Sequence, residues 1–169
     1  MRALPATLFL LPQGAPCLWS PSNAPDELGW PDDGDHECPA VVWSSHPEYL
    51  CLTFEDPSDA SIGVFVDARP RDVRLILDRI GAGIALCALA EHWKLSLPDV
   101  GTPSFERVHA DDSGYDDDAV VYCLGGVRNR GNRRWIHFGE GGDCPAITNP
   151  DDPIEAIAVA CETVFGVKP

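Results

Sequence analysis

Proline is concentrated at the start of this chain, where nine of its 16 prolines fall in the first sixty residues. A proline has no backbone N–H, so strands in this region must be short or lie at the edge of a sheet. We therefore predict that residues 1–60 form a region of short strands and long loops. The run TLFLL favours an N-terminal strand, and AVVWSS, YLCLTFED and SIGVFVDA favour an antiparallel meander.

The spacing of apolar residues changes in RPRDVRLILDRIGAG, which predicts an amphipathic helix. The predicted buried stripe has the i, i+3, i+4, i+7 spacing and consists of Val73, Ile76, Leu77 and Ile80. Pro70 suits the first turn, and Gly81 or Gly83 suits the end of the helix. The next run, IALCALAEHW, is apolar nearly all round and favours a short buried helix. Residues 69–95 are therefore predicted to be helical.

Strand patterns return in residues 104–139, where SFERVHA, AVVYCLGGVR and RRWIHFG predict a second meander. A C-terminal helix is predicted over residues 152–166. Asp152 is its expected N-cap, Pro153 its first residue, Glu155 the partner in a capping box and Gly166 its end. The predicted buried stripe of this helix is Ile154, Ile157, Ala158, Cys161 and Phe165.

The order of strands, helices, strands and a last helix favours an α+β fold. We predict one domain over residues 1–169, with a mainly antiparallel sheet, an amphipathic mid-chain helix and a C-terminal helix packed on one face. The formal net charge of −15 repels nucleic-acid phosphates and anionic membranes and attracts basic proteins. We therefore expect a basic protein partner and neither nucleic acid nor membrane.

The seven cysteines include no C-x-x-C pair, so the spacing of zinc ribbons and thioredoxin-like sites is missing. Unpaired cysteines in apolar runs are typical of a reducing compartment, and we predict a cytoplasmic location. Residues 1–17 are expected to belong to the domain and not to a secretory leader, because prolines interrupt their apolar stretch. The glycine-rich GEGGD lacks the lysine of a phosphate-binding loop, so we predict no cofactor.

An aspartate-rich stretch, HADDSGYDDDAVVYC, is the most unusual local feature. It fails the calcium-loop template at the third, sixth and twelfth positions, so no metal site is predicted. Its Asp, Ser and Gly residues suit a hairpin turn. A solvated turn or docking surface, a divalent-ion site and catalytic acids remain alternatives. Under the docking hypothesis the binding residues are Asp111, Asp112, Asp116, Asp117 and Asp118.

Four arginines in VRNRGNRRW form the second charged feature. These residues are Arg128, Arg130, Arg133 and Arg134. Arginine binds carboxylates and phosphates in a bidentate manner, so the group can bind an anionic ligand. Alternatively, the arginines pair with nearby aspartates across the sheet.

A candidate acid–base site is centred on His137, which precedes a glycine-rich loop in RWIHFGEGGDCP. If His109 faces the same side of the sheet, the two histidines can approach each other, with Glu140 as an orienting carboxylate. Cys144 is the candidate nucleophile beside His137.

Two functions follow from these features. The first is an acidic module that binds and neutralises a basic partner, such as a toxin, through its aspartate-rich surface. The late meander followed by a C-terminal helix is similar to the layout of some bacterial toxin-immunity proteins, and that resemblance implies an inhibitory role. The alternative is a small hydrolytic or tailoring enzyme that uses His137 and His109 with nearby carboxylates.

Overall fold

The computed structural model describes residues 1–20, 37–56, 59–96, 102–109, 119–125 and 132–167. It confirms the predicted α+β class, with two antiparallel sheets and two α-helices in the described residues. The chain divides into two compact units, Ala3–Gly81 and Ala82–Pro169, with Met1 in the first unit and Arg2 in the second. In the described part of the chain, no helix is long and apolar enough to cross a bilayer.

The first unit contains a six-stranded sheet in the order β1-β6-β2-β3-β4-β5. Its strands are β1 (Ala3–Pro5), β2 (Pro16–Trp19), β3 (Cys38–Ser45), β4 (Leu50–Asp56), β5 (Asp59–Ala68) and β6 (Val73–Ile76). Each pairing in this sheet is antiparallel. The predicted meander of three consecutive strands is confirmed as β3, β4 and β5.

Alternation along the strands gives this sheet one buried face. Ala40, Val42 and Leu52 are buried on that face, while the intervening Val41 is exposed. Leu75 of β6 lies opposite both Leu4 and Cys17, so the three chain segments bury their apolar side chains together. Period-two alternation with one apolar face is the pattern expected of a half-buried antiparallel sheet.

The predicted helix through Val73 and Ile76 is wrong, because these residues are the ends of strand β6. Val73 and Leu75 are buried and Arg74 is exposed, so the strand period fits this segment as well as the helical one. The segment is a strand because it pairs with two strands that are distant in sequence. This is a tertiary effect, which the local spacing of apolar residues does not contain. A short 3₁₀ turn, Pro70–Asp72, precedes the strand.

The mid-chain helix α1 spans Arg79–His92 and so begins later than predicted. The Asp78 carboxylate accepts hydrogen bonds from the N–H groups of Ile80 (2.8 Å) and Gly81 (2.9 Å), as an N-cap does. Gly81 lies inside the helix and does not end it. A Cβ atom there would be 1.7 Å from the Ile76 carbonyl oxygen, so only glycine fits.

The N-terminal strand predicted at TLFLL is also wrong. Residues Ala6–Leu8 form a 3₁₀ turn, and the strand β1 precedes them at Ala3–Pro5. Leu10 is exposed and Leu11 is buried. The apolar composition of this run therefore reflects partial burial and not a strand.

The second unit contains most of α1, a three-stranded sheet and the C-terminal helix. The sheet is the predicted meander, with β7 (Ser104–Val108), β8 (Val120–Gly125) and β9 (Arg133–Phe138) in sequential order. The central strand is buried on both faces, because its neighbouring residues Val121, Tyr122, Cys123 and Leu124 are all buried.

The C-terminal helix α2 spans Pro153–Phe165 and confirms the predicted N-cap, first-turn proline and closing glycine. The predicted capping box is wrong, because the Glu155 carboxylate accepts from the Thr148 and Asn149 N–H groups, while the Asp152 N–H donates to the Asn149 carbonyl. Asp152 is the N-cap and accepts a hydrogen bond from the Ile154 N–H, and Pro153 is the first helical residue. Gly166 ends the helix in the left-handed conformation, with φ of 68°. Of the predicted stripe, Ile157, Ala158 and Cys161 are buried, and the two end residues are half-buried.

Candidate functional site

The outer face of the six-stranded sheet carries exposed aromatic side chains. Val41, Thr53 and Phe65 lie directly opposite one another on β3, β4 and β5 and share this face. Phe65 is 56% exposed and Trp43 is 51% exposed. Their rings meet edge to face, with centroids 5.4 Å apart. We call Val41, Trp43 and Phe65 the aromatic patch.

Strand alternation places Trp43 on this face, because Val41 is exposed, Val42 is buried and Trp43 is exposed in turn. The pairing of β3 with β4 then shifts between Val42 and Ser44, so Trp43 is also the extra residue of a β-bulge. Ser44 then lies opposite Cys51 on the outer face.

The turn between β3 and β4 extends the exposed aromatic surface. Its backbone closes with a hydrogen bond from the His46 N–H to the Tyr49 carbonyl (2.9 Å). The two side chains stack with ring centroids 4.4 Å apart, and Tyr49 is exposed. Ser44 Oγ is 3.3 Å from His46 Nε2, which links this stack to the end of the sheet.

Acidic side chains border the aromatic patch. Asp67 lies two residues beyond Phe65, is exposed, and is opposite Cys51. Partial burial raises the pKa of the Cys51 thiol, and the Asp67 carboxylate raises it further by charge and by a hydrogen bond. Glu48 is exposed in the β3–β4 turn. Arg69 follows this strand, but its Nε is bound to the Asp72 carboxylate at 2.8 Å.

The predicted acid–base pair of His137 and His109 is not aligned by the sheet register. His137 lies opposite Val121, which lies opposite Val108, so Val108 shares the face of His137. His109 is the next residue, beyond the end of β7, and is exposed. Because successive strand residues point to opposite faces, the register does not place the two histidines on one face.

The structure does bring His137 next to Cys144, but through the backbone. The Cys144 N–H donates to the His137 carbonyl at 2.9 Å, and the His137 N–H donates to the Asp143 carboxylate at 3.3 Å. Cys144 is only 3% exposed. Burial is the largest effect and raises the pKa of its thiol; the Thr163 hydrogen bond lowers it, and the charges of Asp143 and Arg134 act in opposite directions.

This environment disfavours the thiolate that a nucleophilic cysteine requires. Glu140 is exposed in the glycine turn at residues 139–142, where Gly139 has φ of 117°. Among the described residues, no group of three or more His, Cys, Asp or Glu side chains has the arrangement of a metal site.

The predicted arginine group is described in part. Arg134 binds the Asp143 carboxylate at 2.9 Å, and its guanidinium lies 5.2 Å from the centre of the Trp93 ring. Arg133 is exposed, and its charge lowers the pKa of the neighbouring Cys123 thiol against the larger effect of burial. Arg134 thus has an aspartate partner, although not one from the aspartate-rich stretch.

Seven predicted binding residues lie outside the described part of the chain. They are Asp111, Asp112, Asp116, Asp117, Asp118, Arg128 and Arg130.

The aromatic patch itself was not predicted from the sequence. The signal that could have found it is the pattern of β5, where GVFVD places Phe65 between two valines. In a strand with one buried face, alternate residues are expected to be polar. An apolar residue at each of three consecutive positions therefore indicates either a second buried face or an exposed apolar one.

Comparison with known proteins gave no relative from which a function can be transferred. No protein-family model, no curated protein and no solved structure matches this chain.

Proposed function

We propose that this chain is an acidic protein-binding module of the immunity or inhibitor kind, which neutralises a basic partner protein. The observation that carries the proposal is the aromatic patch, exposed on the outer sheet face of a chain with a net charge of −15. Exposed apolar patches with polar surroundings are typical of protein-binding surfaces. The few residues that dominate the binding energy at such surfaces are enriched in tryptophan, tyrosine and arginine.

The excess of negative charge is available at the surface. Even if every Lys and Arg neutralised one carboxylate, 15 negative charges would remain. Glu155 is the only charged residue that is buried in the described part of the chain. Several arginines are already bound to carboxylates of the same chain, namely Arg2, Arg69, Arg74, Arg107 and Arg134. Such a field accelerates association with a basic protein.

The aspartate-rich stretch contributes to this field in the proposal. The electrostatic field at the surface is the sum of all charges within roughly one Debye length, about 10 Å at 0.1 M salt. These aspartates therefore contribute to it whatever geometry their loop has. The proposed compartment is the reducing cytoplasm, which is consistent with seven free cysteines. Burial raises the pKa of the Cys17 and Cys161 thiols to about 12, which protects them from reaction.

The test is affinity capture from lysate of the cells that produce the protein, at low and at high salt, with identification by mass spectrometry. Three baits are compared. The wild type is the first, and the double variant Trp43→Ser, Phe65→Ser removes the aromatic patch. The control is Ile80→Ser, because Ile80 is as exposed as Phe65 but lies on α1.

We expect one stoichiometric basic protein on the wild type and on the Ile80→Ser control, reduced by salt and lost from the double variant. The salt effect follows because surface charges are screened at high ionic strength. The proposal fails if nothing is retained, if the retained proteins are not basic, or if the double variant retains them equally.

A further inference from the structure

Strand β5 is a sheet edge whose regular pairing with β4 covers Gly63–Ala68, before the register shifts toward Asp59. It is the last strand of the six-stranded sheet, and β4 is its only neighbour among the described strands. It has 10 residues, DASIGVFVDA, with no lysine, arginine or proline. Native proteins normally shield an edge by making it short or by placing lysine or proline on it, because an open edge pairs with other chains.

The other three sheet edges in the described residues each carry a proline or an arginine. Strand β1 has three residues and ends at Pro5. Strand β7 presents Glu106 and Arg107, both exposed. Strand β9 begins with Arg133 and Arg134. Among the edges that the structure describes, β5 thus differs in having neither a basic residue nor a proline.

Hydrogen bonds to the far side of β3 fix the backbone directions across the sheet. The Val42 N–H donates to the Ala15 carbonyl (3.0 Å), and the Val42 carbonyl accepts from the Gly14 N–H (2.8 Å). Both groups of Val42 thus point away from β4. Leu52 lies directly opposite Val42, and the two residues form a non-hydrogen-bonded pair. The N–H and carbonyl groups of Leu52 therefore point away from β3 and toward β5.

The same alternation orients the groups of β5. Val66 lies opposite Leu52, so its N–H and carbonyl groups bond to β4. Phe65 and Asp67 therefore direct their N–H and carbonyl groups to the open edge. These two residues also carry their side chains on the outer face, beside Trp43 and Cys51.

We infer that β5 is a strand-addition site, which takes an extended basic segment of the partner as an antiparallel seventh strand. This inference rests on the proposed function and specifies how the partner binds. Strand addition uses main-chain hydrogen bonds for affinity and alternate side chains for specificity. Here an apolar residue opposite Phe65 packs against the edge of the aromatic patch, and lysine or arginine opposite Asp67 pairs with its carboxylate.

Charge identifies the occupant as a basic segment and not as a second copy of this chain. Two copies would each bring a net charge of −15 to the interface. Like charges directly opposite each other destabilise a strand pair, and opposite charges stabilise it. The only charged residues within β5 are aspartates, so a segment with alternate basic residues complements it.

The test uses a synthetic peptide as long as β5, acetylated and amidated. Valine alternates with lysine, and one central lysine is replaced by isoleucine. When the peptide adds antiparallel to β5, its lysine and isoleucine residues lie opposite Phe65 and Asp67 and direct their N–H groups to β5. N-methylation of these residues removes the donors, whereas N-methylation of the valines leaves them in place. A block-ordered peptide of equal composition is the charge control.

We expect fluorescence anisotropy to show binding that is at least about tenfold weaker when the lysine and isoleucine amides are methylated. Methylation of the valines should change the Kd by less than about threefold. The inference is overturned if the alternating peptide does not bind, if both methylated peptides bind alike, or if the block-ordered peptide binds as tightly.

Variants of the chain locate the contact. Phe65→Ala should weaken peptide binding by about threefold to tenfold, because it removes a cross-strand partner. Asp67→Asn should weaken it by about twofold to fivefold at low salt. Glu106→Gln removes one negative charge from the second unit, far from β5 in sequence. It should leave the Kd of the peptide unchanged, apart from the small effect of a lower net charge. Equal weakening by Asp67→Asn and Glu106→Gln would overturn the proposed site.

Hydrogen exchange by NMR provides a residue-level readout. The Phe65 and Asp67 amides should exchange fast in the free protein and become protected with the peptide. The Val64 and Val66 amides, which bond to β4, should be protected in both states. If protection rises without peptide as protein concentration rises, a second copy occupies the edge and the basic-segment inference fails.

The two proposals can fail separately. If lysate capture yields a basic protein that the alternating peptide does not displace, the function holds and strand addition is wrong. If the peptide binds β5 but no basic protein is captured, the edge is competent and the proposed function is wrong.

Discussion

The aromatic residues of the two sheets make similar ring contacts in opposite environments. In the second unit, Tyr122 stacks on Phe105 with centroids 4.7 Å apart and meets Phe138 edge to face at 5.8 Å. Tyr122 is 1% exposed. In the first unit, the Trp43–Phe65 contact has the same edge-to-face geometry, yet both rings are more than half exposed. Ring contact alone therefore does not distinguish a core from a binding surface.

Hydrogen bonds and an ion pair explain part of the difference in exposure between Tyr122 and the Trp43–Phe65 pair. The Tyr122 hydroxyl donates to the Pro150 carbonyl at 2.9 Å, and Arg107 of the neighbouring strand binds Asp151. The chain segment before α2 is thus held against this side of the sheet. Buried tyrosines usually have such a hydrogen-bond partner. The Trp43–Phe65 pair lies on a face where exposed residues surround it, so its apolar area is available to another molecule.

The largest expected effect comes from removing the buried ring. Tyr122→Ala should lower the free energy of unfolding by about 3–5 kcal/mol, because it leaves a cavity between Phe105 and Phe138. Tyr122→Phe keeps the ring and loses only the hydrogen bond to Pro150, at a cost of about 1 kcal/mol. Urea unfolding followed by tryptophan fluorescence measures both. A loss below about 1 kcal/mol for Tyr122→Ala would contradict a packed environment.

A smaller and pH-dependent effect is expected at Glu155 in the same unit. Its carboxylate accepts hydrogen bonds from the Thr148 N–H (2.7 Å) and the Asn149 N–H (2.9 Å). These bonds, together with the charge of Arg2, hold the pKa of Glu155 below its ordinary value of 4.5, against the opposing effect of burial.

Because the folded-state pKa is lowered, the stabilisation is complete above the unfolded pKa and is lost as the pH falls through the folded one. Glu155→Gln should therefore destabilise the protein at neutral pH, and the difference from the wild type should shrink in acid. Unfolding curves from pH 7 down to strong acid measure the difference. A difference that is independent of pH would show that the carboxylate charge is not responsible.

Local signals explain which parts of the fold could be predicted. The cap, first-turn proline, apolar stripe and closing glycine of α2 are all within residues 152–166, so the helix was predictable in full. The strands of both meanders are also predictable, from short β-rich runs separated by turn residues. Strand β6 is not, because Val73 and Leu75 owe their strand conformation to pairing with Leu4, Cys17 and Trp19, far away in sequence.

The candidate site was predicted less well. Motif-based analysis selects charged and nucleophilic residues as candidates. One of them, Cys144, is buried, and burial raises the pKa of its thiol, so it is a poor nucleophile. The aromatic patch depends on the register of β3, β4 and β5, which brings Val41 and Trp43 to the same face as Phe65. That register is a tertiary feature and is not encoded in a local pattern. The net charge, which is a sum over the chain, needed no geometry and remains the basis for the expected partner.

The patch residues should matter little to folding, which sharpens the contrast with Tyr122. Trp43→Ser combined with Phe65→Ser should change the free energy of unfolding by less than about 1 kcal/mol, because exposed aromatic side chains gain only cross-strand contacts. The same urea unfolding experiment measures it. A loss comparable to that of Tyr122→Ala would mean that the patch is structural, and the exposed-surface interpretation would be wrong.

The smallest thermodynamic effect is expected from the aspartate-rich stretch. Replacing Asp116, Asp117 and Asp118 by Asn removes three of the 27 acidic residues, so most of the field persists. Association with the captured partner should slow by a few-fold at low salt, about two- to fivefold, while the dissociation rate stays unchanged. Stopped-flow kinetics at several salt concentrations measures both rates.

The salt dependence of the association rate should also flatten, because screening acts on fewer charges. A raised dissociation rate would instead place these aspartates in direct contact with the partner, and the binding surface would then extend beyond the aromatic patch.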